Sequence, residues 1–150
     1  MPFQIPDEEL DDFFTELEAI LSESWTMLLG EDSGLHVVDS IQFGGEVIFS
    51  ALKIYFQEAY VLNLSLPKNT AESLASYFYG EPSDDLEELM ETVGEALNIF
   101  TGNFMSILPD GWRMETPSYK IMENYQPSGG VYSQYFNSTV GGFHLSIIAA

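Results

Sequence analysis

The chain has 150 residues, 45% of them hydrophobic and 14% aromatic, and this composition predicts one folded domain over residues 1–150 rather than a disordered acidic tail. Its 24 Asp and Glu against 4 Lys and Arg give a formal net charge of −20, which should repel nucleic acids and anionic membranes, so neither is an expected partner. The absence of cysteine excludes disulfides, thiolate catalysis, zinc–thiolate sites and iron–sulfur clusters.

The opening sequence, MPFQIPDEELDD, lacks the basic region and following apolar region of a secretory signal. No later apolar run has the length that spanning a bilayer requires. We therefore expect a cytoplasmic protein that does not enter a membrane.

The first predicted element is an amphipathic helix that follows Pro6 and ends at Gly30. Its apolar residues recur mostly at spacings of three and four, and acidic residues crowd its start. Three segments rich in β-branched and aromatic residues come next: GLHVVDSIQF, GEVIFSALKIYFQ and AYVLNLSLP. We expect three antiparallel strands, with a hairpin turn at Gly44 and Gly45 between the first two.

Two consecutive helices are predicted in the middle of the chain. The first covers AESLASYFYG, with Asn69 or Thr70 as its N-terminal cap and Gly80 as its end. The second is longer, opens after the polar residues 82–84 and covers approximately residues 85–108.

The last third of the sequence returns to a β pattern, in the segments WRMETPSYKIM, GGVYSQYFNST and GGFHLSIIAA. Pro117 in the first of them predicts an edge strand or the start of a strand. Because the element order contains no regular βαβ alternation, we expect an α+β domain: a mostly antiparallel sheet packed by an N-terminal helix and two consecutive central helices.

The long central helix has two contrasting faces. On a helical wheel, its apolar residues fall within roughly 50° of one direction and define the core face; these are Leu86, Leu89, Met90, Val93, Leu97, Phe100, Phe104, Ile107 and Leu108. Glu91, Glu95, Asn98 and Gly102 lie on the opposite face and should project to solvent. Glycine within a helix costs about 1 kcal/mol relative to alanine, so Gly94 and Gly102 suggest that something besides helix stability shaped this segment. By spacing alone, an ordinary solvated face remains the commoner explanation for these polar residues.

The segment METVGEALNIFTGNFMSILP resembles the signature helix of the CheX, CheC and FliY chemotaxis phosphatases, with its Gly-Glu-x-x-Asn motif followed by Gly-Asn. The resemblance is strongest to CheX and extends over most of the chain in element order. It implies a CheX-like fold, a homodimer, and hydrolysis of the aspartyl phosphate of a CheY-like response regulator. It also implies no cofactor or metal site in this chain, since the regulator holds the Mg²⁺.

By the same resemblance the catalytic residues are Glu95 and Asn98. An acyl phosphate has a good leaving group, so the main task is to position a water, and a carboxamide at Asn98 offers both a donor and an acceptor for it. Glu95 would pair with the lysine beside the regulator's phosphorylation site. Glu91, Gly94 and Gly102 are the expected partner-binding residues; Glu91 stands where the family has Asp or Ser.

A second interpretation keeps the CheX-like fold but makes the domain a non-catalytic binding module or adapter in signalling, so enzyme activity is left open.

Other catalytic or ligand-binding patterns are weaker. His36 and His144 each lie in an apolar strand pattern, where a lone histidine is more often structural. No nucleophile elbow or local triad appears, and the acidic clusters DEELDD and EPSDDLEE are better explained as helix starts than as calcium sites. Core or dimer-interface positions are the simplest prediction for five aromatic residues: Phe13, Phe14, Tyr77, Phe78 and Tyr79.

Overall fold

The computed structural model describes residues 2–127 and 129–150. Within this part of the chain, the α-helices are α1 (Asp7–Leu29), α2 (Lys68–Tyr79) and α3 (Leu86–Phe104), with short 3-10 helices at Pro2–Gln4 and Met105–Ile107. The strands are β1 (His36–Val38), β2 (Val47–Tyr55), β3 (Ala59–Pro67), β4 (Arg113–Met114), β5 (Ser118–Met122), β6 (Tyr132–Asn137) and β7 (Phe143–Ala149). Every strand pair is antiparallel, so the predicted α+β class and antiparallel sheet are confirmed.

The strand order is β1-β6-β7-β3-β2, and β4 and β5 both pair with the outer side of β2. β5 is therefore an edge strand that starts directly after Pro117, which confirms the prediction made from that proline. Having no backbone N–H to donate, proline is tolerated at such a position.

The predicted hairpin at Gly44 and Gly45 is wrong. β1 pairs with β6, with His36 opposite Asn137, and so lies at the far edge of the sheet from β2. The segment between β1 and β2 crosses the sheet, and its Phe43 ring packs against Tyr125, with the ring centroids 4.9 Å apart. An alternating apolar pattern identifies a strand, but it does not identify the strand with which it pairs.

The helix ends follow the predictions except at the start of α2 and the end of α3. Gly30 and Gly80 close α1 and α2 in the left-handed conformation, with φ of 70° and 75°. α2 begins at Lys68, directly after Pro67, so neither Asn69 nor Thr70 is its N-terminal cap. The φ that proline imposes leads the chain from β3 straight into the helix, and no side-chain cap is used.

The hydroxyl of Thr70 has a different role, donating to the carbonyl oxygen of Gly142 at 2.9 Å and so joining α2 to the turn before β7. α3, in contrast, does carry a side-chain cap. Asp85 accepts hydrogen bonds from the backbone N–H groups of Glu87 and Glu88 at 2.9 and 3.3 Å. The predicted end near residue 108 is reached through the 3-10 turn Met105–Ile107 rather than through α-helix.

The core lies between the three helices and one face of the sheet. The α3 residues predicted for the core are buried or packed against it, and the indole of Trp25 on α1 stacks on Phe143 of β7 with centroids 4.6 Å apart. Phe13 is buried and Phe14 and Phe78 are half-buried, whereas Tyr77 and Tyr79 are exposed. Among the described residues, the helices are too short or too polar to cross a bilayer.

Candidate functional site

The polar face of α3 forms a ridge on the surface. Glu91, Glu95 and Gly102 are exposed and Asn98 is half-buried, as the helical wheel predicted. The opposite face of the helix is fixed in the core by fully buried side chains that include Val93, Leu97 and Phe104. Glu95 and Asn98 are three residues apart, so their side chains leave the same side of a rigid helix.

The ridge forms one wall of an open cleft of about 650 Å³. Its residues in this wall are Glu91, Gly94, Glu95 and Asn98. The facing wall comes from β4, β5 and the segment between them, and consists of Met114, Glu115, Thr116, Pro117 and Tyr119. The structure thus brings together four of the five site residues that the sequence predicted; Gly102 lies outside the cleft lining, one turn beyond Asn98.

Gly94 is one of the cleft-lining residues of α3 and is buried. A Cβ at this position would lie 2.9 Å from Cδ1 of Tyr119, closer than such atoms normally approach, and 3.8 Å from the Ser50 hydroxyl. The Ser50 hydroxyl in turn donates to the Ser118 carbonyl oxygen at 2.8 Å. Gly94 therefore lets β5 approach α3 closely, an intramolecular role that is separate from the predicted contact with a partner.

Gly102 has different surroundings, since no atom lies within 4 Å of where its Cβ would be. Packing within the chain thus gives no reason for a glycine there. An external surface can approach the helix backbone closely at this point, which keeps the predicted partner-binding role of Gly102 open.

The cleft is acidic. Three glutamates, Glu91, Glu95 and Glu115, are among its lining residues, and the lining contains neither lysine nor arginine. No hydrogen bond or ion pair among the described residues engages the side chain of Glu95 or Asn98. Both functional groups are therefore available to an incoming molecule, and the local charge favours a basic one.

The facing wall was not identified from the sequence. Glu115, Thr116 and Tyr119 reach the cleft only because β4 and β5 pair with β2 beside α3. The one signal in the sequence was Pro117, which indicated a strand at the sheet edge.

The two histidines lie away from the cleft. His144 is buried, with Nδ1 2.8 Å from the Tyr125 hydroxyl and Nε2 2.8 Å from the Ser133 hydroxyl, and burial lowers its pKa to about 4. His36 is exposed, with Nδ1 2.9 Å from the Gly34 carbonyl oxygen. In the described ranges, no group of three or more His, Asp or Glu side chains is arranged to hold a metal ion.

Comparison with known proteins gives structural matches. A scan against protein-family models finds no match, and neither does a search of curated protein sequences. Among solved structures, the chemotaxis protein CheX of Vibrio vulnificus has 20% identity and a TM-score of 0.73, with 92% of this chain and 96% of that chain covered. CheX of Desulfovibrio desulfuricans has 14% identity and a TM-score of 0.71, with 93% and 99% covered.

A third match is the CheX–CheY–BeF3–Mg+2 complex of Borrelia burgdorferi, with 17% identity, a TM-score of 0.65, and 91% of this chain and 97% of that chain covered. At these identities the comparisons establish the fold. The chain has the CheX fold, as the resemblance in α3 predicted.

Proposed function

We propose, from the CheX fold of this chain and the exposure of Glu95 and Asn98, that the protein is a phosphatase. Its substrate would be the aspartyl phosphate of a CheY-like receiver domain, in chemotaxis or another two-component pathway. The observation that carries the proposal is the pair itself. A carboxylate and a carboxamide, free of internal partners, stand one turn apart on a rigid helix at the rim of an open cleft.

In the proposed reaction, Asn98 holds the attacking water through its carboxamide oxygen and nitrogen, in line with the bond that breaks. The water oxygen forms a bond to phosphorus while the bond from phosphorus to the aspartyl oxygen breaks. The products are the free carboxylate and inorganic phosphate, which retains both protons of the water. No nucleophile from this chain is required, because positioning supplies the rate enhancement.

Glu95 has the docking role in this proposal. Its carboxylate pairs with a lysine beside the regulator's phosphorylation site, and this contact sets the distance between Asn98 and the phosphoryl group. Glu91 in the cleft, and Gly102 one turn beyond Asn98, contact the same partner, whereas the buried Gly94 acts through its packing against Tyr119. The divalent cation that neutralises phosphoryl charge belongs to the regulator, so this chain needs no metal of its own.

The acidity of the cleft restricts the partner. A phosphoryl group alone would be repelled by the carboxylates of Glu91, Glu95 and Glu115. The receiver domain must therefore carry basic residues around its phosphorylation site. We further propose that the protein acts in the cytoplasm and as a homodimer, as the resemblance implies.

Loss of phosphate from receiver domains of the same genome tests the proposal. Each domain is loaded with radiolabelled phosphate, and its decay is followed alone and with wild-type protein, Asn98→Ala or Glu95→Ala. Wild-type protein should accelerate the decay, Asn98→Ala should reduce the acceleration by about 10²-fold, and Glu95→Ala should weaken it.

Glu16→Ala is the matched control, because Glu16 is an exposed helical carboxylate on α1, away from the cleft lining. It should accelerate the decay as well as the wild type does. Acceleration that Asn98→Ala leaves undiminished would contradict the mechanism. If no receiver domain responded but one bound regardless of phosphorylation, the protein would be an adapter.

A further inference from the structure

The basic residues of this chain are unevenly distributed. The chain has 4 lysine and arginine residues in total, and three of them, Lys53, Arg113 and Lys120, lie on the strands β2, β4 and β5 at one edge of the sheet. The fourth, Lys68, lies at the start of α2. In a protein with a formal net charge of −20, this is a local concentration of positive charge.

The strand register puts these three cations on the same side of the sheet, the side without helices. Ser50 of β2 and its partner Tyr119 of β5 face α3, since both lie near Gly94. Side chains alternate along a strand, so Lys53 and Lys120, at odd spacing from Ser50 and Tyr119, point to the other side.

Arg113 follows by the same reasoning. It pairs with Tyr55, which is two residues from Lys53 and therefore shares its side of the sheet. We call the surface formed by Lys53, Arg113 and Lys120 the cationic sheet face.

The cations of this face are spaced along β2. Lys120 lies opposite Phe49 and Arg113 lies opposite Tyr55, with Lys53 between them. At about 3.4 Å per residue, the Lys120 and Lys53 positions are about 14 Å apart along the strand, and the Lys53 and Arg113 positions about 7 Å. The row thus spans about 20 Å, the length of about six extended residues.

None of the three cations is neutralised within the described residues. No ion pair or side-chain hydrogen bond engages them, and the only contact of this kind is the Lys120 ammonium 5.5 Å from the centre of the Phe49 ring. Phe49, Ala51 and Val61 are half-buried between them. This part of the sheet is therefore apolar at its centre and has unpaired cations along its length, beside one carboxylate residue, Glu115, whose backbone N–H donates to the Lys53 carbonyl oxygen at 2.9 Å.

We propose that the cationic sheet face binds an extended, acidic segment of a partner protein. A line of separated charges over an apolar strip is complementary to a strand-like peptide with acidic residues on one side, and less so to a compact anion, which would contact one cation at a time. The overall charge of −20 opposes such a partner at long range, so recognition depends on these few close contacts.

The proposal is independent of the phosphatase activity. Lys120 and Tyr119 are adjacent in β5 and point to opposite sides of the sheet, so the cleft and the cationic sheet face can be occupied together. A failure of either proposal leaves the other unaffected.

Fluorescence anisotropy with a labelled peptide of about seven alternating Glu and Thr residues tests the inference, since that length spans the row. The comparison peptide has Lys in place of Glu. We expect the Glu peptide to bind at the cationic sheet face, and binding of the Lys peptide, which the net charge of −20 attracts elsewhere, to be insensitive to Lys53→Gln. Lys53→Gln should reduce affinity for the Glu peptide by about twofold to fivefold, as the loss of one partly exposed charge contact does.

Lys68→Gln is the matched control, because it changes the net charge by the same one unit but lies off the face. It should leave the affinity unchanged. The inference is overturned if the Glu peptide does not bind, or if Lys53→Gln and Lys68→Gln reduce its affinity equally.

Carbodiimide cross-linking gives a second readout, because it joins lysine amines to carboxylates in direct contact. Cross-links from the Glu peptide should form at Lys53 and Lys120 and not at Lys68. Cross-links from Lys53 and Lys120 to a second, isotope-labelled copy of this chain instead would mean that the face is a self-association surface, which would overturn the proposal.

Discussion

At the scale of single residues, the proposed activity depends on two side chains with different roles. Asn98 would act on the water only in the transition state, whereas Glu95 would act on the partner before and during the reaction. Interactions made only in the transition state change kcat, and interactions made throughout change KM. The two roles can therefore be separated by kinetics.

We predict that Asn98→Ala lowers kcat by about 10²-fold with little change in KM, the effect expected for a lost polar group that acts on the reacting atoms. Glu95→Ala should raise KM by about tenfold, from the loss of one docking ion pair. Initial rates at varied concentrations of phosphorylated receiver domain measure both quantities. If Asn98→Ala instead raised KM and Glu95→Ala instead lowered kcat, Asn98 would be the docking residue and Glu95 the residue that acts on the water.

His144 provides a residue-scale prediction about stability. Burial lowers its pKa to about 4 in the folded protein, against 6.5 for an unperturbed histidine. Between these values the unfolded chain binds the proton and the folded protein does not. Its contribution to stability is therefore complete above about pH 6.5 and is lost as the pH falls toward 4, by up to about 1.4 kcal/mol per pH unit.

Urea unfolding of wild type and His144→Gln across this pH range measures the contribution. The free energy of unfolding should fall less steeply for His144→Gln, whatever its value at pH 7. Equal slopes for wild type and His144→Gln would show that His144 keeps an ordinary pKa.

At the scale of elements, α3 has one face buried in the core and an opposite, exposed face that carries Glu95 and Asn98. Its two glycines, Gly94 and Gly102, have different roles. Gly94 makes room for Tyr119 and so sets how closely β5 approaches the helix, while Gly102 leaves the backbone open to the outside. Only the first is explained by packing within the chain.

Because Gly94 and Gly102 differ in their surroundings, we predict that replacing each by alanine has opposite effects on the stability of the protein. Gly102→Ala should stabilise the protein by about 0.5–1 kcal/mol, because the new methyl group meets no atom and alanine favours the helix. Gly94→Ala should destabilise it, since its methyl group would collide with Tyr119. Denaturant unfolding measures both changes.

If Gly102 also allows a partner to approach, Gly102→Ala will bind the receiver domain more weakly while being more stable. Binding can be measured on the same samples by titration calorimetry. A variant that gains stability and keeps full affinity would remove Gly102 from the binding surface.

At the scale of the whole molecule, the most unusual property of the protein is its large negative charge. A formal net charge of −20 on 150 residues makes the folded state repel itself, and the few cations are concentrated on one sheet face. The fold resists this repulsion through an extensive core between the helices and the sheet, with fully buried side chains that include Trp25, Phe136 and Phe143.

Salt should therefore stabilise the protein. Raising the ionic strength from 0.01 to 0.1 M shortens the screening length from about 30 Å to about 10 Å and weakens repulsion between distant carboxylates. We predict a higher melting temperature over this range in NaCl, and the same rise in KCl because screening does not distinguish the two salts. Differential scanning calorimetry gives the measurement; no rise, or a rise in one salt only, would exclude general screening.

The sequence by itself determined the helices, the position of most strands and the orientation of the candidate catalytic pair. Helical periodicity is local, so the spacing of Leu89, Val93 and Leu97 was enough to direct Glu95 and Asn98 to the surface. The α+β class followed from the order of the elements, and recognition of the motif in α3 gave the CheX fold that the structural comparisons confirm.

Only the tertiary structure decided which strands are neighbours. β1 pairs with β6 instead of β2. The pairing of β4 and β5 with β2 brings Glu115 and Tyr119 into one cleft with Glu95, and it also aligns Lys53, Arg113 and Lys120. These arrangements depend on contacts between residues far apart in the sequence. An alternating pattern predicts which residues lie on each face of a strand. The neighbouring strand and the register of the pairing depend on the packing of the whole sheet.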